Sequence, residues 1–143
     1  MTRLRCVTGL SVAILVLLTP VYGQQAPAPQ PIEIPKAATL EGLPSIRIDS
    51  TEAATRRRVL DAAEAAKSPL KVRVRDGRFY WASRDNRLLQ LNSSGPFTYL
   101  SSEPGSYIRL TRLNDRISYV EHVDMKELGS VTWWGELRIV LEK

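Results

Sequence analysis

One cysteine and one histidine are all this chain has of the side chains most used to cross-link, to bind soft metals and to shuttle protons. The cysteine, Cys6, lies in the N-terminal stretch that reads as a cleavable leader, so the remaining chain has no thiol and no disulfide to lean on. A single His, His122, takes away the usual base of a catalytic triad and most Cys/His metal sets, and the sequence calls for no metal and no cofactor. No Gly-rich phosphate loop, G-x-S-x-G elbow or H-E-x-x-H string occurs. Long apolar runs are also missing. The longest, Val7 to Leu18, is shorter than the roughly 20 residues that span a bilayer, which makes a retained anchor the weaker reading and leaves no integral span expected once the leader is removed.

What that stretch does contain is the tripartite layout of a secretory signal. Arg3 and Arg5 form a positive start, Val7 to Leu18 an apolar middle, and Val21-Tyr22-Gly23 a cleavage region, so residues 1–23 are expected to be removed. Cleavage takes two arginines and no acid, and the net charge falls from +5 to +3. The expected location is periplasmic or secreted. Export leaves lipid headgroups, acidic glycans and acidic proteins as the anions within reach, and nucleic acid outside it.

Residues 24–48 carry Pro27, Pro29, Pro31, Pro35 and Pro44 without a helical period, which predicts a Pro-rich disordered linker. From Asp49 the composition turns to Ala and Arg. Asp49 as an N-cap, Glu52 three residues on and a stop at Ser68-Pro69 predict one amphipathic helix, with Val59, Leu60, Ala63 and Ala66 on its apolar face.

Leu70 to Ser83 is the clearest local signal. Leu70, Val72 and Val74 alternate with Lys71, Arg73 and Arg75, an Asp76-Gly77 pair follows, and alternation resumes through Phe79 and Trp81. A two-residue turn at Asp76-Gly77 sets Arg75 opposite Arg78, Val74 opposite Phe79, Arg73 opposite Tyr80 and Val72 opposite Trp81. Further short alternating runs follow at turn-separated intervals, with a second hairpin about Asn114-Asp115 and a last stretch that Gly135 either bends or divides. The predicted fold is α+β: one N-terminal amphipathic helix packed on or into a curled seven- to eight-stranded antiparallel β-meander, forming a single small domain over 49–143.

Function has to come from the faces of that sheet. Lys71, Arg73, Arg75 and Arg78 share the polar face of the first hairpin with Tyr80, and Arg75 opposite Arg78 costs stability until an anion lies between them. Arg109 on a later strand could extend the row, and of the adjacent Trp133 and Trp134 one must point outward. Trp134 is therefore grouped with Lys71, Arg73, Arg75, Arg78, Tyr80 and Arg109 as a candidate binding face. The leading reading is an exported, non-catalytic binding module for an acidic protein, glycan or lipid headgroup of the cell envelope. A second is an inhibitor-like accessory protein that engages an exported enzyme through hairpin loops at Arg84 to Arg87 or Ser93 to Phe97. A third is a small hydrolase in which Asp124 orients His122 as a base.

Overall fold

The computed structural model describes residues 27–103 and 105–142, so the leader read over 1–23 lies outside the described residues. The α+β expectation is overturned: 62% of the structure is strand and 6% helix, and eight antiparallel strands close into a barrel. Nine strands form one sheet, β1 (Ala38–Ser50), β2 (Thr55–Val59), β3 (Leu70–Arg75), β4 (Arg78–Trp81), β5 (Arg87–Ser93), β6 (Phe97–Glu103), β7 (Ser106–Leu113), β8 (Arg116–Asp124) and β9 (Ser130–Leu141). β3 to β9 are the meander foreseen from sequence, each paired with the next. β1 closes it by pairing with β9 from Ala38↔Leu141 to Ser50↔Ser130 and with β3 from Ala38↔Val74 to Gly42↔Leu70. Residues 38–48, expected to end the linker, are thus most of the closing strand.

No long helix exists over 49–66. β1 runs on to Ser50, turns through Thr51–Ala54 with the Thr51 amide donating to the Ala54 carbonyl at 2.9 Å, and returns as β2 in register Ile46↔Val59 to Ser50↔Thr55. The helix shrinks to α1 (Ala62–Ala65), capped by Asp61 and Glu64 in place of Asp49 and Glu52. A helix over this stretch would have docked mainly alanines, whose burial contributes little. Extending β1 instead gives its backbone a partner along its full length and places β-branched Thr55 and Val59 in a strand.

The core is the barrel's own interior. Eight strands enclose a lumen just wide enough for side chains to fill, and Leu40, Val72, Val74, Trp81, Leu100, Ile108, Leu110 and Tyr119 do so, each almost wholly buried. The outer wall carries Lys71, Arg73, Arg109 and Arg138, a polarity opposite to that of a barrel whose outside faces lipid. Gly135 does not divide β9. It lies between Tyr119 of β8 and Pro44 of β1, at the bulge that shifts β1's register. A Cβ there would strike the Leu43 carbonyl oxygen and come within 2.7 Å of the Tyr119 ring, so glycine is what lets the closing seam approach.

Both mouths are stopped. At the hairpin end, where β3–β4, β5–β6 and β7–β8 turn, residues 30–36 cross the opening. The Gln30 amide donates to the Arg112 carbonyl at 2.9 Å and the Gly77 amide to the Lys36 carbonyl at 3.1 Å, and Ile32 between those anchors is buried in the core. Part of the Pro-rich stretch is therefore a strap, a role that suits extended backbone needing few ladder bonds. At the loop end, where β4–β5, β6–β7 and β8–β9 connect, the stopper is made of charged and aromatic side chains.

Candidate functional site

The first hairpin folds in the register its sequence dictates: Val72↔Trp81, Arg73↔Tyr80, Val74↔Phe79 and Arg75↔Arg78. Asp76 and Gly77 take φ of 51° and 75°, the left-handed pair of a type I′ turn that Asp tolerates and glycine adopts freely. Leu70, Val72, Val74, Phe79 and Trp81 accordingly point into the barrel, and Lys71, Arg73, Arg75, Arg78 and Tyr80 outward. Lys71 is answered by Glu41, 3.2 Å away on β1, which also holds Arg138 of β9 at 3.6 Å. Arg75 and Arg78 are exposed, and neither they nor Arg73 makes an ion pair among the described residues. The strap brings Lys36, also exposed, to the same turn. The outcome is a cationic tip of Arg73, Arg75 and Arg78 on the paired strands and Lys36 on the strap, with Asp76 the acid within the turn itself.

The structure does not bring all seven predicted residues together. Arg109 and Trp134 are on β7 and β9, in the outward row Tyr99, Arg109, Val120, Trp134, Ile46 across β6, β7, β8, β9 and β1. They line a shallow groove of about 490 Å³ with Phe97 and Glu136. Because β7 is four strands from β3 in a ring of eight, Arg109 cannot extend the hairpin's row. Trp134 is the outward tryptophan, half-buried, while Trp133 faces the lumen.

His122 also faces outward. Its Nδ1 lies 2.8 Å from the Thr132 hydroxyl and its ring stacks on Tyr107 at 5.1 Å, which in turn stacks on Tyr99 at 5.2 Å. Asp124, proposed as its orienting acid, instead accepts from the Lys126 amide at 2.7 Å. The hydroxyl and the aromatic ring hold the imidazole, with no carboxylate partner among the described residues.

A second cluster was not foreseen from sequence, and it forms the stopper of the loop end. Glu121 on β8 is fully buried between Ile108 of β7 and Trp133 of β9. Its Oε1 accepts from Trp81 Nε1 at 2.9 Å and lies 3.3 Å from Arg84 Nη2. Arg84 turns back into the barrel from the β4–β5 loop, where Asp85 and Asn86 accept left-handed backbone, and its guanidinium covers the Trp133 ring at 4.7 Å. Arg47 of β1 approaches the same ring at 5.6 Å and is anchored by Asp49, Nε to Oδ1 2.9 Å. Glu121 Oε2, Trp133 Nε1 and the Tyr119 hydroxyl have no hydrogen-bond partner among the described residues. Burial raises the Glu121 carboxyl from an ordinary 4.5 to about 7, against the opposing pull of Arg84 and of the Trp81 hydrogen bond. Burial, and then the nearby Glu121 charge, also push the Tyr119 phenol upward. Arg84, at the start of the loop read as one that could engage an exported enzyme, is thus committed inward. The signal for this cluster was present: Glu121 has the parity of Ile117, Tyr119 and Val123, an acid on the core face of a strand.

No protein-family model, no curated protein and no solved structure matches the chain.

Proposed function

We propose that this chain is an exported, non-catalytic binding module that holds an acidic envelope component or acidic protein against the tip of the β3–β4 hairpin. One observation carries the reading: Arg75 and Arg78 are directly opposed in the ladder, both exposed, and neither has an acidic partner among the described residues. Like charges directly opposite each other in antiparallel strands destabilise the pair, and an anion between them removes that cost. Arg73 and Lys36 widen the cationic surface, and Tyr80 adds an amphipathic ring beside it. Because the arginines stand on short, tightly turned strands, little ordering is needed when a partner arrives.

The test is capture of envelope components by the protein lacking residues 1–23, at low and at high salt. Arg75→Glu with Arg78→Glu should abolish low-salt capture while leaving the fold intact, since both side chains are already in water. Wild-type capture should fade as salt is raised, as an exposed charge interface requires. Undiminished capture by the double variant would overturn the reading. Mass spectrometry of the exported protein, expected to begin at Gln24, checks the export on which it depends.

A further inference from the structure

β1 has one flank covered by β9 along its length, while its other flank is divided between β3 over Ala38–Gly42 and β2 over Ile46–Ser50. β3 passes its second edge to β4, whereas β2 is the terminal strand of the sheet. Two backbone hydrogen bonds, Leu60 N–H to Ser45 O at 2.9 Å and Thr51 N–H to Ala54 O at 2.9 Å, fix which way its peptide groups point. Alternation from those bonds turns Arg56 and Arg58 toward β1 and leaves the N–H and C=O of Thr55, Arg57 and Val59 directed away from it. Thr55, Arg56 and Arg57 are exposed, and Val59 is 69% exposed. Among the described residues, a barrel that has otherwise removed its edges keeps a short open one here, a template for another strand.

The side chains decide what can use it. Arg58 is already shared between Asp49 at 3.9 Å and Glu64 at 3.5 Å, but Arg56 and Arg57 make no ion pair among the described residues. Pairing β2 with β2 of a second copy would set arginine against arginine, so the edge rejects its own kind. A strand with two adjacent carboxylates would do the reverse. Its successive side chains point to opposite faces, as do Arg56 and Arg57, so one acid meets each guanidinium while the backbone takes up the free groups of Arg57 and Val59. We infer that the free edge of β2 is a strand-addition site for an extended acidic peptide segment of another protein. The site uses backbone as well as charge, and it does not depend on the hairpin reading above.

The experiment is an amide-resolved NMR titration of the whole chain with a blocked Thr-Val-Glu-Glu-Val-Thr peptide and its Lys-Lys counterpart. The acidic peptide should shift the Arg57 and Val59 amides and slow their hydrogen exchange, and the basic one should bind at least about tenfold more weakly. Val59→Pro removes an N–H that β1 does not use and keeps all three arginines, so binding should weaken up to about tenfold with the β1–β2 ladder intact. Methylating alternate amides of the peptide removes the same bonds from the ligand's side and covers the case in which Val59→Pro disturbs β2. Unchanged binding of the methylated peptide would reduce the contact to charge alone and overturn the inference. So would shifts confined to Arg75 and Arg78, or no response to either peptide.

Discussion

At the hairpin end of the barrel the opening is stopped by apolar side chains, the buried Ile32 with the partly buried Ile34, carried on a strap tied down by backbone hydrogen bonds to Arg112 and Gly77. At the loop end the same task falls to Arg84, Glu121, Trp81, Trp133 and Arg47, four of them brought from separate strands. The apolar stopper tolerates imprecision, because burying a methylene is non-directional and nothing in it titrates. The polar one demands geometry: a buried carboxylate without its donors costs several kcal/mol, and a guanidinium over a ring works only at short range. The fold is therefore adaptable at the hairpin end and specified at the loop end. The loop end fixes register among β1, β4, β8 and β9, and with Glu121 it introduces a titration near neutral pH.

The sharpest way to break the contrast is to remove the platform of the polar end. Trp133→Ala deletes a side chain that is 7% exposed and takes the ring from beneath both Arg84 and Arg47. A loss of about 4 kcal/mol in urea unfolding is expected. Trp133→Leu should restore the part due to apolar volume and leave about 1 kcal/mol unrecovered, the share of the stacked guanidinium groups. Full recovery in the leucine variant would show that the end is held by volume alone, like its opposite.

Next in size is the pH dependence. Glu121 titrates at about 7 in the fold against an ordinary 4.5. Between those values the native protein keeps a proton that the unfolded chain has released, so stability falls as pH rises through the window. At about 1.4 kcal/mol per pH unit the fall is at most about 3 kcal/mol, complete above the folded value. Glu121→Gln keeps an acceptor for Trp81 Nε1 and removes the titration. Urea unfolding from about pH 5 to 7.5 should therefore slope downward in the wild type relative to the variant, a difference that cancels the other carboxylates. Parallel curves for the two proteins would mean that the carboxyl does not hold its proton through neutrality.

The contrast also explains what could be seen in the sequence. The β3–β4 hairpin was legible to the residue because its determinants are local: Asp76-Gly77 selects the turn and the alternation on either side sets the faces. Barrel closure was not, since β1 finds its partners at the far end of the chain, with the Thr39 hydroxyl donating to Glu142 across 103 residues. Five prolines masked a strand in which only Pro44 lies, at a bulge that accommodates it. The Asp49–Pro69 stretch satisfied every local rule for a helix and was overridden by long-range pairing with β1. In the candidate face, the five hairpin residues were placed together by alternation, whereas Arg109 could be assigned outward parity but no position around the ring. The loop-end cluster needed the ring as well: only closure brings Arg47 and Arg84 over the same tryptophan.

The smallest effect belongs to the apolar stopper, and it sharpens the comparison through what stays unchanged. Ile32 is 9% exposed and packs into the main core from a strap anchored at Gln30 and Lys36. Ile32→Ala should cost about 2 kcal/mol, the low end for a buried isoleucine, because the strap can settle into part of the space. The loss should be the same at about pH 5 and 7.5, since the side chain removed carries no titratable group and lies at the opposite mouth from Glu121. Amide exchange gives the spatial half of the test. The Gly77 N–H, which the strap protects through the Lys36 carbonyl, should open faster in Ile32→Ala, while the Arg84 N–H, bonded to the Trp81 carbonyl at 2.9 Å, should keep its wild-type rate relative to global unfolding. If both amides open together, or if the cost of Ile32→Ala changes with pH as the contribution of Glu121 does, the two ends are coupled through the core and do not close the barrel independently.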